Sequence, residues 1–566
     1  MGTGWSIVFA ALLAGVTGTA ISAETPANLL LLRGRVWTGK AAGPWAEAVA
    51  VRGDRIVYVG SAAGAAAMKG PRTEVVDLQG RLVLPGFNDA HVHLMEGALS
   101  LDRVDLIEDD SLAAVQARIR DFAARVAKAT PWVVGRGWLY GSFPGGLPTK
   151  EQLDAVVSDR PAYMECYDGH TGWANSKALA LAGITRETKD PKDGLIVRDA
   201  KTGEPTGALK EGAKTLVEAK IPVPAREARY ALLLRALGLL SAQGITSVQD
   251  AGFGLADLET DVALLERARA EGRLTVRVRA AVRMSQGEVE GEVAAAGRMR
   301  ARHDDAWLRF DAMKAFVDGV VEAKTAAMLE PYPDGGTGLP NWTPAALAAA
   351  VVAADKAGLQ VWLHAIGDGG VRMALDAHEA ALRANGRADR RGRIEHIETI
   401  SPTDYPRFKA LGVIASMQPL HANPDQNLET VWARNAGPDR AGRGFSWGNL
   451  ERAGARLVYG SDWPVVTSDV RRGLYCAVTR KTREGKPPGG WLPDQTVSLE
   501  SALRHYTSDA AYASFEEGVK GSLAPGTLAD LVVLSEDLFK EPPEAILRAK
   551  VILTVVGGRV VYRDRP

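Results

Sequence analysis

His91 and His93 stand one residue apart at the end of an apolar run that passes through Leu82, Val83, Leu84 and a Pro85-Gly86 pair. On extended backbone, residues two apart project to the same side, so both imidazoles can reach one point in space. Two neutral imidazoles aimed at one point are a common half of a zinc site. For this pair alone the alternative is two polar histidines on a surface loop. Further candidates also end apolar runs: His364 follows Val361-Trp362-Leu363, His396 follows Arg393-Ile394-Glu395, and Asp462 follows Leu457-Val458-Tyr459-Gly460-Ser461. Lys314 lies inside the apolar stretch from Phe310 to Gly319.

Polar residues at the ends of several strands converge if those strands are parallel staves of one barrel. After the strand at His91, strands are predicted near 245–250, 274–282, 309–318, 359–364, 391–396, 413–418 and 455–462. Alanine-rich stretches of helical periodicity separate most of the later ones, among them 344–356 and 371–385. Strand and helix in alternation argue for βα units, hence a (β/α)8 TIM-like barrel.

The segment between the first two strands is far longer than an ordinary connection. It carries a helical pattern after Ser111, with Leu112, Val115, Ile119, Phe122 and Val126 on one face. An insertion at the catalytic end of a barrel is where a lid or specificity subdomain belongs. Short alternating segments with glycine turns at both ends of the chain predict a small β-sandwich. The expected organisation is therefore a leader over 1–23, sandwich strands within 24–84, a barrel over 85–505 with its insertion at 97–243, and further sandwich strands within 506–566.

The chain resembles the amidohydrolase superfamily, in the branch that contains N-substituted formamide deformylase. The resemblance rests on Pro85-Gly86-Phe87-Asn88-Asp89-Ala90-His91-Val92-His93, Lys314-Ala315-Phe316-Val317-Asp318-Gly319 and His364-Ala365-Ile366-Gly367-Asp368. It continues through Arg393-Ile394-Glu395-His396, Gln418-Pro419, Gly460-Ser461-Asp462-Trp463-Pro464 and the segment from Asp168 through His170 to Leu179. It implies His91 and His93 on strand one, Lys314 on strand four, His364 on five, His396 on six and Asp462 on eight as ligands of one or two divalent ions, zinc before others. It also implies that Lys314 is a candidate for carboxylation and bridging, since a free ammonium has no lone pair to offer. The alternative is an unmodified, buried Lys314 paired with Asp318 or Asp462. The pair Gly369-Gly370 departs from the family pattern, where a larger residue such as arginine is usual, and leaves the pocket beside His364 open.

Such a centre can acidify a water and polarise a carbonyl, with Asp462 as general base and then general acid. The expected reaction is hydrolysis of a non-peptide carbon–nitrogen bond in a small molecule: an amide, formamide or cyclic amide. A deaminase or an ester or phosphotriester hydrolase would use nearly the same ligands, and a non-catalytic binding barrel would have lost some of them. His170, His421 and Trp138 are candidate substrate contacts. Asp318 and Asp368 are expected to orient metal-bound histidines or to cap turns. Glu395 should point away from His396 by strand alternation. His303, His378 and His505 are expected at the surface.

Lysine plus arginine and aspartate plus glutamate number 68 each, so nothing attracts nucleic acid or an anionic membrane. Two cysteines, Cys166 and Cys476, exclude a disulfide scaffold. The apolar run from Ile7 to Val16, followed by small residues to Ala23, reads as a secretory leader without its usual basic start. Export to a periplasm or the medium follows as the expectation, with no stable membrane insertion after cleavage. A homodimer is compatible with everything above.

Overall fold

The computed structural model describes residues 26–109, 111–126 and 131–564; the leader expected over 1–23 lies outside the described residues. Eight parallel strands form one sheet: β1 (Phe87–Val92), β2 (Ile245–Phe253), β3 (Arg277–Arg283), β4 (Leu308–Phe316), β5 (Gln360–Ala365), β6 (Arg393–His396), β7 (Ile414–Met417) and β8 (Arg456–Tyr459). Each strand pairs with its neighbour in chain order, from β1 through to β8. The ring closes where backbone N–H groups of Asp462 and His93 donate to the carbonyls of His91 and Trp463 at 2.7 and 2.8 Å. The fold is a TIM-like barrel, and the predicted strands lie within a few residues of the observed ones.

The strands are buried on both faces, the expected state of a parallel sheet wrapped by helices. Helices Pro344–Lys356 and Asp368–Asn385 pack side by side outside β5. Thr343 caps the first of them by accepting from the Ala346 N–H.

Both chain ends meet in one six-stranded sheet. Leu82–Pro85 runs directly into the barrel and pairs antiparallel with Leu531–Leu534, which pairs in turn with Val551–Val556. A second sheet is built from Leu29–Leu32, Ala48–Arg52, Arg55–Gly60 and Glu74–Asp77. The helix Ser508–Ala513, assigned to the sandwich by the sequence, instead packs its Ala510 and Ala513 against Ala90, Ile414 and Val458 at the barrel.

The insertion contains a six-stranded sheet that periodicity did not reveal: Val104–Asp105, Val133–Trp138, Ala162–Cys166, Thr171–Ala174, Gly194–Arg198 and Pro205–Glu211. The expected helix is present as Leu112–Arg125, with Ser111 accepting from the Ala114 N–H. Among the described residues, no helix is long and apolar enough to cross a membrane.

Candidate metal centre

The C-terminal ends of β1, β4, β5, β6 and the turn after β8 deliver the site. Two of its residues, His396 (φ 75°) and Asp462 (φ 59°), sit in the left-handed region that non-glycine residues seldom occupy. At His396 this has a direct consequence. Alternation would send Glu395 and His396 to opposite faces, but the left-handed turn lets both side chains reach the same centre. Glu395 Oε2 lies 2.5 Å from His91 Nδ1, which corrects the expectation that it points away.

Donor atoms of His91, His396 and Asp462 all lie within 4.8 Å of one another. His93 Nε2 is 3.2 Å and His91 Nε2 3.4 Å from Asp462 Oδ1. Lys314 Nζ stands 3.4 Å from His91 Nε2, and the ring of His364 is 4.5 Å from that of His396. All six expected ligands are thus gathered in one buried cluster.

The electrostatics suit a cation. Burial, and next the Lys314 amine, lower His91 from 6.5 to about 4, and burial puts His364 and His396 well below the ordinary imidazole value. The imidazoles are therefore neutral, with lone pairs available, at neutral pH. Burial alone would raise Asp462, but His91, His93 and His396 hold its carboxyl well below the usual carboxylate range. Burial lowers Lys314 from 10.5 to about 8.

Asp462 Oδ1 and His93 Nδ1 are buried without a hydrogen-bond partner. Leaving a buried polar atom unpaired costs about 1–3 kcal/mol, so the Asp462 oxygen amid the imidazoles suits a bound cation. Imidazoles, a carboxylate and a neutralisable amine form a donor set that fits a divalent ion, zinc included.

The support is built inside the barrel. Arg393, fully buried, donates to Glu395 Oε1 at 2.8 Å, to Gln249 Oε1 at 2.5 Å and to the Ala90 carbonyl at 2.7 Å. Gln418 Oε1 lies 2.8 Å from His396 Nδ1 and fixes that ring. Asp89 Oδ1 accepts from the backbone N–H of Ser461 at 2.8 Å, tying β1 to the turn after β8.

Asp318 is buried behind His364, 3.7 Å from its Nε2, and accepts instead from the backbone N–H groups of Ala327, Ile366 and Gly367. Asp368 makes no hydrogen bond or ion pair with any of the six ligands. It accepts from Leu329 N–H at 2.9 Å and Arg440 Nε at 3.3 Å, so its part is to hold the loop after β4. A Cβ on Gly370 would come within 2.5 Å of Asp318 Oδ2, which explains why this chain carries no larger residue there.

Of the expected substrate contacts, His170 and His421 line the small cavity above the cluster, together with His93, His364, His396 and Asp462. Trp138 does not. It is fully buried within the insertion, its indole N–H donating to the Met164 carbonyl at 3.0 Å and its ring packed on Tyr140 and Phe143. His303 and His505 are buried, not at the surface as expected: His303 Nε2 lies 3.1 Å from Glu266 and His505 Nδ1 lies 2.9 Å from Asp509. His378 is half-buried.

Sequence reasoning missed Glu211, whose carboxylate meets His170 Nδ1 at 2.9 and 3.1 Å. Its backbone is left-handed (φ 47°, ψ −130°), a strained conformation that turns the carboxylate toward the site. Burial opposes protonation of His170, but Glu211 overcomes it and raises the imidazole to about 9. Glu322 and Glu398, also on the cavity wall, were missed as well. No motif marks these three, because the pairing of distant segments creates their environment.

A parallel eight-stranded barrel with buried histidines and an aspartate at its strand ends defines a metal-dependent hydrolase. The Amidohydro_3 amidohydrolase family model matches residues 74–562, and the chain belongs to that family. It is 32% identical to the protein LONG AFTER FAR-RED 3 of Arabidopsis thaliana over 98% of this chain and 96% of that one. It is 29% identical to the N-substituted formamide deformylase of Arthrobacter pascens over 94% and 98% of the two chains. A metal-dependent hydrolase from Pyrococcus horikoshii superposes with a TM-score of 0.69 at 26% identity, covering 91% of this chain and 98% of that one.

Proposed function

We propose that this hydrolase cleaves a non-peptide carbon–nitrogen bond in a small molecule: an amide, formamide or cyclic amide. The observation that carries the reading is Asp462, a buried carboxylate set within 4 Å of ring nitrogens of His91, His93 and His396 and held well below the usual carboxylate range. Similarity to an N-substituted formamide deformylase along nearly the whole chain supports the bond type.

His91, His93, His364, His396, Asp462 and a carboxylated Lys314 would hold one or two divalent ions, zinc before others. Such an ion supplies Lewis acidity toward a carbonyl and acidifies a water. Lys314, with its pKa lowered to about 8, has an appreciable neutral fraction near pH 7, the form of the amine that can add carbon dioxide. Asp462 Oδ1 takes a proton from the attacking water and returns it to the leaving nitrogen. Glu395 keeps His91 in one tautomer and orientation. His170, held protonated by Glu211, offers a donor to a substrate oxygen from the cavity wall beside His364.

The test is a panel of formamides, longer acyl amides, cyclic amides, aminopurines, carboxylic esters and phosphotriesters, assayed before chelation, after it, and after metal is restored. The reading expects metal-dependent turnover confined to the amides. Turnover of aminopurines or phosphotriesters, with no amide cleaved, would replace it with deamination or ester hydrolysis.

A further inference from the structure

Four carboxylates line the cavity of about 70 Å³ above the cluster, Asp168, Glu322, Glu398 and Asp462, and no lysine or arginine lines it. Only Asp462 belongs to the ligand set, so the metal does not account for the other three. Tyr167, Glu322 and His421 also line a larger cavity of about 300 Å³, so these three form a neck between the inner and outer chambers. On the outer wall, Arg472 and Arg483 are both turned to Glu108, at 3.0 and 3.3 Å. The His170 imidazole is likewise already bonded to Glu211.

Several groups at the neck and on the inner wall beside it have unused capacity. The His421 side chain is only 9% exposed, yet its Nε2 has no hydrogen-bond partner. That ring lies 3.6 Å from Asp462 Oδ2 and 3.8 Å from Glu398 Oε1, within reach of both but bonded to neither. Asp168 Oδ2 is buried and unpaired. Glu322 receives a hydrogen bond from the Tyr167 hydroxyl. Burial first, then the nearby Glu398 and Asp168, push the Glu322 carboxyl well above its usual range. A positive group at the neck would remove that mutual repulsion, whereas an anion would add to it.

We propose that this neck is a cation subsite, and that the substrate carries an ammonium or similar N–H-rich cation a few bonds from the scissile carbon. This rests on the amide-hydrolase reading and adds the substrate class to it. An ammonium has three donors and no acceptor, which matches carboxylates that accept and cannot donate once ionised. The remainder of the molecule extends into the outer chamber.

The experiment uses three N-formyl alkylamines of equal length whose far ends are an ammonium, a methyl and a carboxylate. Binding of each to the full-length, metal-loaded protein is measured alongside its hydrolysis. The ammonium compound is expected to bind about tenfold or more tightly than the carboxylate compound. In Glu322→Gln, with melting temperature and metal content checked, that ratio should fall to within about threefold. Equal or reversed affinities in the unmodified protein would overturn the subsite, and this comparison needs no variant. An undiminished ratio in a folded Glu322→Gln protein would overturn the role of Glu322. Discrimination in binding without hydrolysis would sustain the subsite and refute amide hydrolysis; hydrolysis without discrimination would do the reverse.

Discussion

Glu395 shows how much of this cluster depends on groups outside the six candidate ligands. It takes two bonds from Arg393 and one from His91, all three fully buried. Glu395→Gln should weaken metal binding by about 10–100-fold, read by competition with a chelator. It should also lower stability by about 3–5 kcal/mol, because the Arg393 charge is left buried without its counter-ion. The histidines divide by environment. In metal-free protein, NMR should find His91 neutral until the pH falls to about 4, while His170 keeps its proton until the pH rises to about 9. The His91 value lies below its unfolded value near 6.5, so its contribution to stability is present above about 6.5 and lost as pH falls through about 4. The sign is opposite for His170, whose contribution is full below about 6.5 and lost as pH rises through about 9. Titration of both near 6.5 would show that neither environment is as described.

At the scale of elements, the site depends on close approach of the first and last strands. A Cβ on Gly460 would stand 2.5 Å from the His91 nitrogen and 2.6 Å from its Cβ. Gly460→Ala should therefore displace His91, costing about 1–3 kcal/mol in stability and reducing bound metal, checked by thermal melting and elemental analysis. The clustering of the six candidate ligands was legible in the sequence because five lie at or just past the end of an apolar run and Lys314 lies within one, and strand order then brings them together. Glu395 was misplaced because alternation presumes extended backbone, which fails at His396. Trp138 was misassigned because an indole suits a pocket wall and a core equally well. The insertion sheet went unseen because its strands are short and partly exposed, and it pairs segments as distant as Thr171–Ala174 and Pro205–Glu211.

At the scale of the molecule, the chain ends brace the barrel. Asp530, just before Leu531–Leu534, receives a two-pronged ion pair from Arg277 on β3, at 2.6 and 3.0 Å, with both side chains nearly inaccessible. Asp530→Ala would leave that guanidinium buried without its counter-ion, so a loss of about 3–5 kcal/mol is expected in denaturant unfolding. A change within about 0.5 kcal/mol would mean the sandwich does not support the barrel through this contact. The most direct test of the account is elemental analysis of the purified protein beside His91→Ala, His396→Ala and Asp462→Ala. The account predicts at least about one divalent ion per chain in the unmodified protein, and a loss of most of it in each folded variant. Equal metal in all four proteins, or none in the unmodified one, would contradict it.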